Sequence, residues 1–354
     1  MNKNGTTGPI VKIAIVMSVL VIIIASTVSM KKVKDLNKEN DKIIVGMVTD
    51  VGGINDESFN QSTWEGLKRA EKELGIEAKY LESIQETDYT QNIETLLDEE
   101  VDLILSVGFK QTEAIEEAAK NNPERHFAII DGDFETKEIP SNLKNVMFKE
   151  QEAGYLAGIL SSIMTKTSNI GFIGGMQIPV VDRYKYGFMA GLKDGSKELG
   201  IKDIKIQTQY ANSFTDQAKG KAIANQMINN DADIIFHAAG PLGNGIFEAL
   251  KEKGGYGIGV DSDQNKLSPE VVITSAMKNL NEASYSLVKD YIEEEFKGGE
   301  TIIKSLIDNG VGLASYNEKV DSKAVKFVDK FIDKIKNNEI IIPSTKEEYE
   351  EYIR

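Results

Sequence analysis

Two pairs of aspartates follow short apolar segments in different halves of the chain. Asp131 and Asp133 follow FAII, and Asp261 and Asp263 follow GIGV. Such carboxylates could accept hydrogen bonds from neighbouring hydroxyls of a ligand, or they could bind a divalent cation. Hard cations need about six or more oxygen ligands, so two isolated pairs fit hydrogen bonding to a polyol better. We therefore expect a binding site without a metal and without a cofactor.

Aromatic and basic side chains near other apolar segments would complete such a site. Phe59 and Phe214 are candidates for stacking on a flat ring, which contributes about 1–3 kcal/mol per nucleobase, although phenylalanines are also common core residues. Lys278 follows the apolar run VVITSAM, where its ammonium group could fix a carboxylate and donate to a sugar oxygen. The set suits a neutral polar ligand that carries a flat ring.

Catalytic signatures are absent from the sequence. It contains no GxxxxGK[ST] phosphate loop, no GxGxxG, no GxSxG and no HExxH. Its two histidines, His126 and His237, lie in apolar runs, which favours a core or rim position. The absence of cysteine excludes disulfides, thiolate metal sites, cysteine nucleophiles and an N-terminal lipid-modified cysteine. An enzyme would need a positioned acid/base pair, for which Asp131 and Asp261 are the candidates; we expect a binding protein instead.

An eleven-residue segment occurs twice with little change. GLKRAEKELGI (66–76) and GLKDGSKELGI (191–201) are identical at eight positions. The match continues on both sides, where VGMVTD aligns with IGFIGG and AIIDGD aligns with IGVDSD. A long repeat that occurs only twice indicates two similar lobes rather than a solenoid. Two lobes form a cleft.

Strands and helices alternate along both copies of the repeat. Apolar runs such as IIVGMVT, DLILSVG and DIIFHAAG suit strands that are buried on both faces of a parallel sheet. Amphipathic segments separate them, and in the first of these Trp64, Leu67, Ala70 and Leu74 form one apolar stripe. The alternation predicts an α/β fold of two doubly wound parallel-sheet lobes.

The carboxyl ends of the strands are where ligands bind in such sheets. The residues that follow the predicted strands are therefore the candidates for binding: Asp50, Gly108, Asp131, Gly240, Asp261 and Lys278. The repeat pairs Asp131 with Asp261 and Gly108 with Gly240, so equivalent strand ends of the two lobes can face each other across the cleft.

The composition is typical of a globular protein with two domains. The chain has 354 residues, of which 41% are hydrophobic and 27% are charged, and this length suffices for two cores. Its formal net charge of −15 should repel nucleic-acid phosphates. We expect no nucleic-acid partner.

The first 42 residues have a different character. Residues 1–12 precede an uncharged apolar stretch of 18 residues, 13–30, and residues 31–42 form a charged linker. Eighteen apolar residues just suffice to span a bilayer as a helix, whereas cleaved signals usually have a shorter apolar run. We favour an uncleaved anchor, with a cleaved signal as the alternative. Since such a segment is the usual export device, we place the protein at the cell membrane with its soluble part on the extracytoplasmic side.

Several motifs in order along the chain resemble one family of binding proteins. TDVGGINDESFNQSTWEGLKRAEKELG (49–75) resembles the opening of the BMP family, the basic membrane protein or purine nucleoside receptor-like substrate-binding proteins of bacterial ABC transporters. Further matches are EQEAGYLAG, IGFIGGM, YGFMAGLK, SFTDQAKGKAIANQM, HAAGPLGNGIFEA, GVDSDQ and TSAMKN. The resemblance covers nearly everything from residue 43 to about residue 316, and the motifs are specific in combination rather than singly.

The resemblance implies a type I periplasmic-binding-protein fold with three hinge crossings and a ligand between the lobes. The first lobe would comprise residues 43–150 and about 275–315. The second lobe would comprise residues 151–274 and about 316–354. The ligand of the family is a purine nucleoside. Carried over by motif, Asp50 and Asn55 lie at the base end.

The remaining site residues that the resemblance implies surround the same ligand. Phe59 stacks on the ring and Asp131 helps to bind the base. Gly240 lets the backbone approach the ligand.

The ribose hydroxyls are held by Asp261 and Lys278 in this interpretation. Phe214 supplies the second stacking face, with Phe188 as the alternative.

One departure from the family concerns the anchor. Family members of Gram-positive bacteria are usually lipoproteins held by a lipobox cysteine, and this chain has no cysteine. The resemblance favours a receptor that delivers a nucleoside to an ABC permease. The alternative is a membrane-anchored sensor of the same ligand, which a retained N-terminal helix would favour.

Overall fold

The computed structural model describes residues 42–134 and 138–354. Residues 44–354 form one compact unit. The predicted membrane segment 13–30 and nearly all of the linker after it lie outside the described residues. Within the described ranges, no helix is both long enough and apolar enough to cross a bilayer.

Two six-stranded sheets form the two lobes of this unit. The described strands are β1 (Ile44–Val48), β2 (Glu77–Leu81), β3 (Leu103–Val107), β4 (His126–Ile130), β5 (Leu143–Phe148), β6 (Asn169–Gly174), β7 (Lys205–Tyr210), β8 (Ile234–Ala238), β9 (Tyr256–Asp261), β10 (Val272–Lys278), β11 (Glu300–Lys304) and β12 (Val311–Leu313). The first sheet has the order β11-β5-β4-β3-β1-β2 and the second has the order β12-β10-β9-β8-β6-β7.

Neighbouring strands are parallel throughout both sheets except at one edge. In the first sheet all the pairs are parallel. In the second sheet β12 runs antiparallel to β10, and the remaining pairs are parallel. The central strands β3 and β8 are buried along their whole length, as expected for strands covered on both faces. The predicted α/β fold with two doubly wound lobes is confirmed.

Helices cover both sheets and connect the parallel strands. The described α-helices are α1 (Phe59–Leu74), α2 (Asp88–Asp98), α3 (Thr112–Asn121), α4 (Glu150–Met164), α5 (Pro179–Leu199), α6 (Gln217–Asn229), α7 (Gly243–Lys253), α8 (Leu280–Ile292), α9 (Ser322–Lys336) and α10 (Lys346–Tyr352). The two copies of the repeated segment form the second halves of α1 and α5. Both helices end at a glycine in the left-handed conformation, Gly75 with φ 77° and Gly200 with φ 69°, which is a common helix C-cap.

The chain crosses between the lobes three times. It leaves the first sheet after β5, returns to the first lobe after β10, and leaves again between β11 and β12. Two predicted lobe boundaries shift as a result. All of β10 belongs to the second sheet, because it pairs with β9, and β12 belongs there because it pairs with β10. The strand pattern predicted β10, but its pairing partner is a long-range property that the pattern does not contain.

Candidate functional site

A cavity lies between the two lobes at the carboxyl ends of the strands. Seven of the eight predicted site residues line it: Asp50, Phe59, Asp131, Phe214, Gly240, Asp261 and Lys278. They come from both lobes and from strand ends that are far apart in the sequence. The topology therefore brings the residues that were chosen for their position after predicted strands together with the two predicted aromatic rings.

Asn55 is the predicted site residue that does not line the cavity. Its side chain is exposed, and the neighbouring Asp56 lines the cavity instead. The carboxylate of Asp56 accepts hydrogen bonds from the backbone N–H groups of Ser58 (3.0 Å), Asn60 (2.8 Å) and Gln61 (3.0 Å). These bonds satisfy N–H groups at the start of α1, which have no partner within the helix. They turn Asp56 inward and leave Asn55 on the surface.

The two aspartates paired by the repeat share an unusual backbone conformation. Asp131 has φ 61° and Asp261 has φ 62°. This left-handed region is uncommon for residues other than glycine, although aspartate tolerates it better than most. Each aspartate ends or directly follows a buried strand, so the same turn presents both carboxylates to the cleft.

A buried lysine at the wall of the cavity links the two lobes. The ammonium nitrogen of Lys278 lies 2.6 Å from Oδ2 of Asp131 in the first lobe and 2.7 Å from Oε1 of Glu150. Glu150 also accepts a hydrogen bond from Nε of Arg183 at 2.5 Å. The side chain of Lys278 is only 1% exposed and that of Glu150 is fully buried. Buried charges are tolerated only when they are paired in this way.

The pKa values of this cluster follow from burial and pairing. Burial opposes the charged form of Lys278, but the carboxylates of Asp131, Glu150 and Asp261 outweigh it and raise its pKa. Burial raises the pKa of Asp131 despite the opposing effect of Lys278. Glu150 has two cationic partners, and these outweigh burial and hold its pKa below the ordinary value. The cluster thus keeps a charged lysine at the wall of the cavity.

Asp261 is held by one residue from each lobe. Its Oδ2 accepts a hydrogen bond from the hydroxyl of Ser58 in the first lobe at 2.7 Å. Its Oδ1 lies 3.5 Å from the phenol oxygen of Tyr184, which also lines the cavity. Burial raises the pKa of the Asp261 carboxyl, although Lys278 and Ser58 oppose the shift.

Asp50 is fixed by a reciprocal pair of hydrogen bonds with Asn60. Its Oδ1 accepts from Nδ2 of Asn60 at 2.7 Å and from the N–H of Gly52 at 2.8 Å, and its own N–H donates to Oδ1 of Asn60 at 3.1 Å. Its Oδ2 lies toward Gly108, where a Cβ would be 3.7 Å away. One oxygen therefore positions the side chain, and the other lies beside Gly108, which also lines the cavity.

The two predicted stacking rings lie in opposite lobes. Phe59 is the first residue of α1, and the ammonium of Lys278 lies 5.3 Å from its ring centroid. Phe214 packs against Gly175, where a Cβ would lie 2.3 Å from the ring. The alternative, Phe188, is fully buried and packs on Phe236 in the core of the second lobe. The structure therefore favours Phe214 over Phe188 as a cavity residue.

Three polar residues at or beside the cavity were missed by the sequence analysis: Asp56 and Tyr184, which line it, and Glu150, which pairs with Lys278. Tyr184 could have been found from the repeat, because the spacing between Gly66 and Gly191 also separates Phe59 from Tyr184. Glu150 begins the motif EQEAGYLAG, but its burial depends on the first crossing between the lobes. No local pattern predicts that burial.

The cavity offers hydrogen-bonding groups and two aromatic rings. Over residues 42–134 and 138–354, no cluster of three or more histidine, cysteine, aspartate or glutamate side chains has the arrangement of a metal site. Asp131, the first candidate for cation binding, already binds the ammonium of Lys278. The arrangement can bind hydroxyl and N–H donors and a flat ring.

Comparisons of sequence identify relatives along most of the chain. The sequence model of the Bmp family, described as ABC transporter substrate-binding protein PnrA-like, matches residues 43–346. Basic membrane protein A of Borreliella burgdorferi is 37% identical over 313 residues, which cover 88% of this chain and 90% of that protein. The CD4+ T-cell-stimulating antigen of Listeria monocytogenes is 35% identical over 327 residues, covering 86% and 89% respectively.

Solved structures of solute-binding proteins share the fold. The structure of an ABC transporter solute-binding protein from Aeropyrum pernix K1 aligns with a TM-score of 0.79 at 27% identity, covering 88% of this chain and 96% of that chain. One from Conexibacter woesei aligns with a TM-score of 0.70 at 22% identity, covering 85% and 99% respectively. The second likeness is one of fold alone.

Proposed function

The chain belongs to the Bmp family of ABC transporter substrate-binding proteins, and from that premise we propose that it captures a purine nucleoside between its lobes and delivers it to the permease of an ABC importer. The family and the fold support a role in binding a solute. The choice of a nucleoside rests on the groups that line the cavity.

The observation that carries the proposal is the pairing of carboxylates with Lys278 at the boundary of the lobes. Asp261 and Lys278 would hold the ribose hydroxyls, since a carboxylate accepts hydrogen bonds from a vicinal diol and an ammonium donates to its oxygens. Asp131 shares Lys278, and its buried Oδ1 has no hydrogen-bond partner among the described residues. We therefore propose that Asp131 binds the sugar, whereas the resemblance assigned it to the base.

The base would lie between Phe59 and Phe214, which face the cavity from different lobes. Stacking of this kind contributes about 1–3 kcal/mol per base. The Oδ2 of Asp50 would accept a hydrogen bond from an N–H group of the base. Because these rings and carboxylates come from both lobes, the complete set of contacts exists only when the lobes are closed.

Turnover of the ligand is not part of the proposal. The carboxylates of the cavity are bound to Lys278, Ser58 or Asn60, and no histidine is among the described residues that line it. The sensor hypothesis gains no support from the relatives, which include solute-binding proteins of transporters.

The N-terminal segment completes the proposal. We propose that residues 13–30 anchor the protein in the cell membrane with the binding lobes outside, since the chain has no cysteine for a lipid anchor. Fractionation of cells that express the chain with and without residues 1–42 tests this. The full chain should sediment with membranes and the truncated chain should not.

A thermal-shift screen of residues 42–354 against nucleosides, free bases and monosaccharides tests the ligand class. A ligand at 100 times its Kd stabilises the fold by about 2.7 kcal/mol, which gives a shift of several degrees. We expect shifts with purine nucleosides that are lost in Asp261→Ala. A shift with monosaccharides alone would overturn the nucleoside assignment. Uptake of a labelled nucleoside by cells with and without the gene then tests delivery.

A further inference from the structure

A short segment of the first lobe makes direct hydrogen bonds to the second lobe beside the cavity. At its centre is Glu57, an exposed residue with φ 55°. Glu57 is not among the residues that line the cavity. Its contacts therefore join the lobes without belonging to the surface that a ligand would touch.

Both the backbone and the side chain of Glu57 take part. Its carbonyl oxygen accepts hydrogen bonds from the hydroxyl of Ser262 at 2.8 Å and from Nε2 of Gln264 at 3.4 Å. Its carboxylate accepts from Nδ2 of Asn244 at 3.1 Å. Asn244 is the second residue of α7, so the carboxylate lies near the positive end of a helix dipole. The left-handed backbone allows one residue to direct both groups at the second lobe.

The second lobe holds its part of this contact rigidly. Oε1 of Gln264 accepts from the N–H of Val260 and lies within hydrogen-bonding distance of Nε2 of His237, both at 3.1 Å. The N–H of Gln264 donates to the hydroxyl of Ser275 at 3.0 Å. These bonds fix the orientation of the amide, so that its Nε2 faces Glu57. The partner of Glu57 is thus preorganised by residues that are fully buried.

We propose that Glu57 is a positioning residue that clasps the two lobes in the closed state and so sets the rate at which a bound ligand leaves. The neighbouring Ser58 donates a hydrogen bond to Asp261, which lines the cavity. The contact that joins the lobes and a contact to a proposed ligand-binding residue are therefore made by adjacent residues. The proposal rests on the proposed function in assuming a ligand between the lobes. It assigns to Glu57 the stability of the closed state and not the choice of ligand.

The substitution Glu57→Gly tests the side-chain contact between the lobes while keeping the backbone conformation of residue 57. Glycine adopts positive φ freely, so the variant keeps the backbone carbonyl and removes the side chain with its carboxylate. Glu100→Gly is a matched control, because Glu100 is also exposed in the first lobe and also has φ 55°. Both variants lose one negative charge and relieve the same backbone strain. Glu57→Gln, which keeps an oxygen acceptor for Asn244, is the conservative variant.

The kinetic test uses the full chain in detergent with adenosine, inosine and guanosine as probes. Removing a hydrogen bond to a charged group should raise the dissociation rate constant about tenfold in Glu57→Gly, with the association rate constant within about twofold of that of the wild type. Glu100→Gly should have the dissociation rate constant of the wild type, and that of Glu57→Gln should lie close to it. Equal dissociation rate constants in Glu57→Gly and Glu100→Gly would overturn the proposal.

A second readout needs no ligand. Since the chain has no cysteine, Glu113→Cys in α3 and Lys219→Cys in α6 introduce two unique labelling sites, both exposed and one in each lobe. Pulsed electron paramagnetic resonance between spin labels there gives the population with closed lobes. We expect a smaller closed population in Glu57→Gly than in Glu100→Gly. Equal populations would refute the clasp, even where none of the three nucleosides binds and the proposed function fails by itself.

Discussion

At the scale of single residues, the site depends on buried charges that satisfy one another. Lys278 is surrounded by Asp131 and Glu150 at hydrogen-bonding distances. These buried ion pairs add little to stability over apolar side chains of similar size, because desolvation of the charges offsets their attraction. Removing one partner, however, leaves an uncompensated charge. The cluster is therefore costly to break and is placed where a ligand can use it.

Lys278→Met should lower the free energy of unfolding by about 3–5 kcal/mol. The loss arises because the buried carboxylate of Asp131 is left without its cation and that of Glu150 keeps only Arg183. Urea unfolding at pH 7 measures it. Lys278→Met combined with Asp131→Asn should recover part of the loss, since one of the stranded charges is then absent. A Lys278→Met variant as stable as the wild type would contradict this account of the cluster.

His237 should remain neutral far below the usual pH of histidine protonation. Its side chain is fully buried and contacts Gln264, and burial lowers its pKa from 6.5 to about 4. Nuclear magnetic resonance of the two imidazoles resolves His237 from His126, with His237→Gln for assignment. A titration of His237 near pH 6.5 would show that the ring is hydrated.

The lowered pKa of His237 determines how the stability of the protein changes with pH. The folded state disfavours the charged imidazole. The contribution of neutral His237 to the free energy of unfolding is therefore complete above pH 6.5 and is lost as the pH falls from 6.5 to about 4. It amounts to about 3 kcal/mol at most. The unfolding free energy of the wild type should therefore fall relative to that of His237→Gln over this range.

Most of the predicted residues that line the cavity could be chosen from the sequence, because an apolar strand followed by a polar residue is a local pattern. Asp131 and Asp261 were found in this way. Asp56 was missed in favour of Asn55, since the choice between adjacent residues is made by hydrogen bonds to the start of α1. Glu150 was missed because its partner Lys278 is distant in the sequence.

At the scale of helices and strands, the repeat preserves close contacts between helices. Gly66 in α1 faces α8, where an added Cβ would lie 2.2 Å from the carbonyl oxygen of Asn281. Gly191, its counterpart in α5, faces α4, where a Cβ would lie 2.0 Å from the carbonyl oxygen of Tyr155. The repeated glycine thus has the same function in both lobes, which the sequence match alone did not explain.

Gly66→Ala and Gly191→Ala should each destabilise the protein by about 1–3 kcal/mol, because an added methyl group must push two backbones apart. Thermal or urea unfolding measures the effect. Glu65→Ala, at an exposed position beside Gly66, is the control and should change stability by less than about 0.5 kcal/mol. Variants of both glycines with wild-type stability would mean that the helices are more loosely packed than described.

The assignment of strands to sheets shows where prediction from sequence ends. The runs that form β1, β3 and β8 were predicted correctly because buried parallel strands are continuously apolar. The short β12 has only three residues and no comparable signal. Its place beside β10 is set by contacts between segments more than thirty residues apart.

At the scale of the whole molecule, charge selects among possible ligands. The chain carries a formal net charge of −15, and four aspartates line the cavity: Asp50, Asp56, Asp131 and Asp261. Lys278 is the single lysine among the lining residues, and two carboxylates already bind it. A ligand with additional negative charge would meet net repulsion.

Nucleoside 5′-monophosphates should therefore bind at least about 100-fold more weakly than the corresponding nucleosides, since unfavourable placement of like charges costs several kcal/mol. Isothermal titration calorimetry with adenosine and its 5′-monophosphate measures the ratio. The difference between the two affinities should become smaller with added salt if charge repulsion causes it. Equal affinities would mean that the phosphate lies outside the cavity or that the ligand binds elsewhere.

The most direct test of the central claim compares a purine nucleoside with its 2′,3′-dideoxy analogue on the wild type and on Asp261→Ala by isothermal titration calorimetry. If Asp261 and Lys278 hold the ribose hydroxyls, removing those hydroxyls should weaken binding to the wild type by about 100-fold or more, since it leaves buried polar groups unpaired. The same change should have little further effect on Asp261→Ala. Equal binding of both nucleosides to the wild type, or no binding of either, would contradict the claim that this cleft is a nucleoside site.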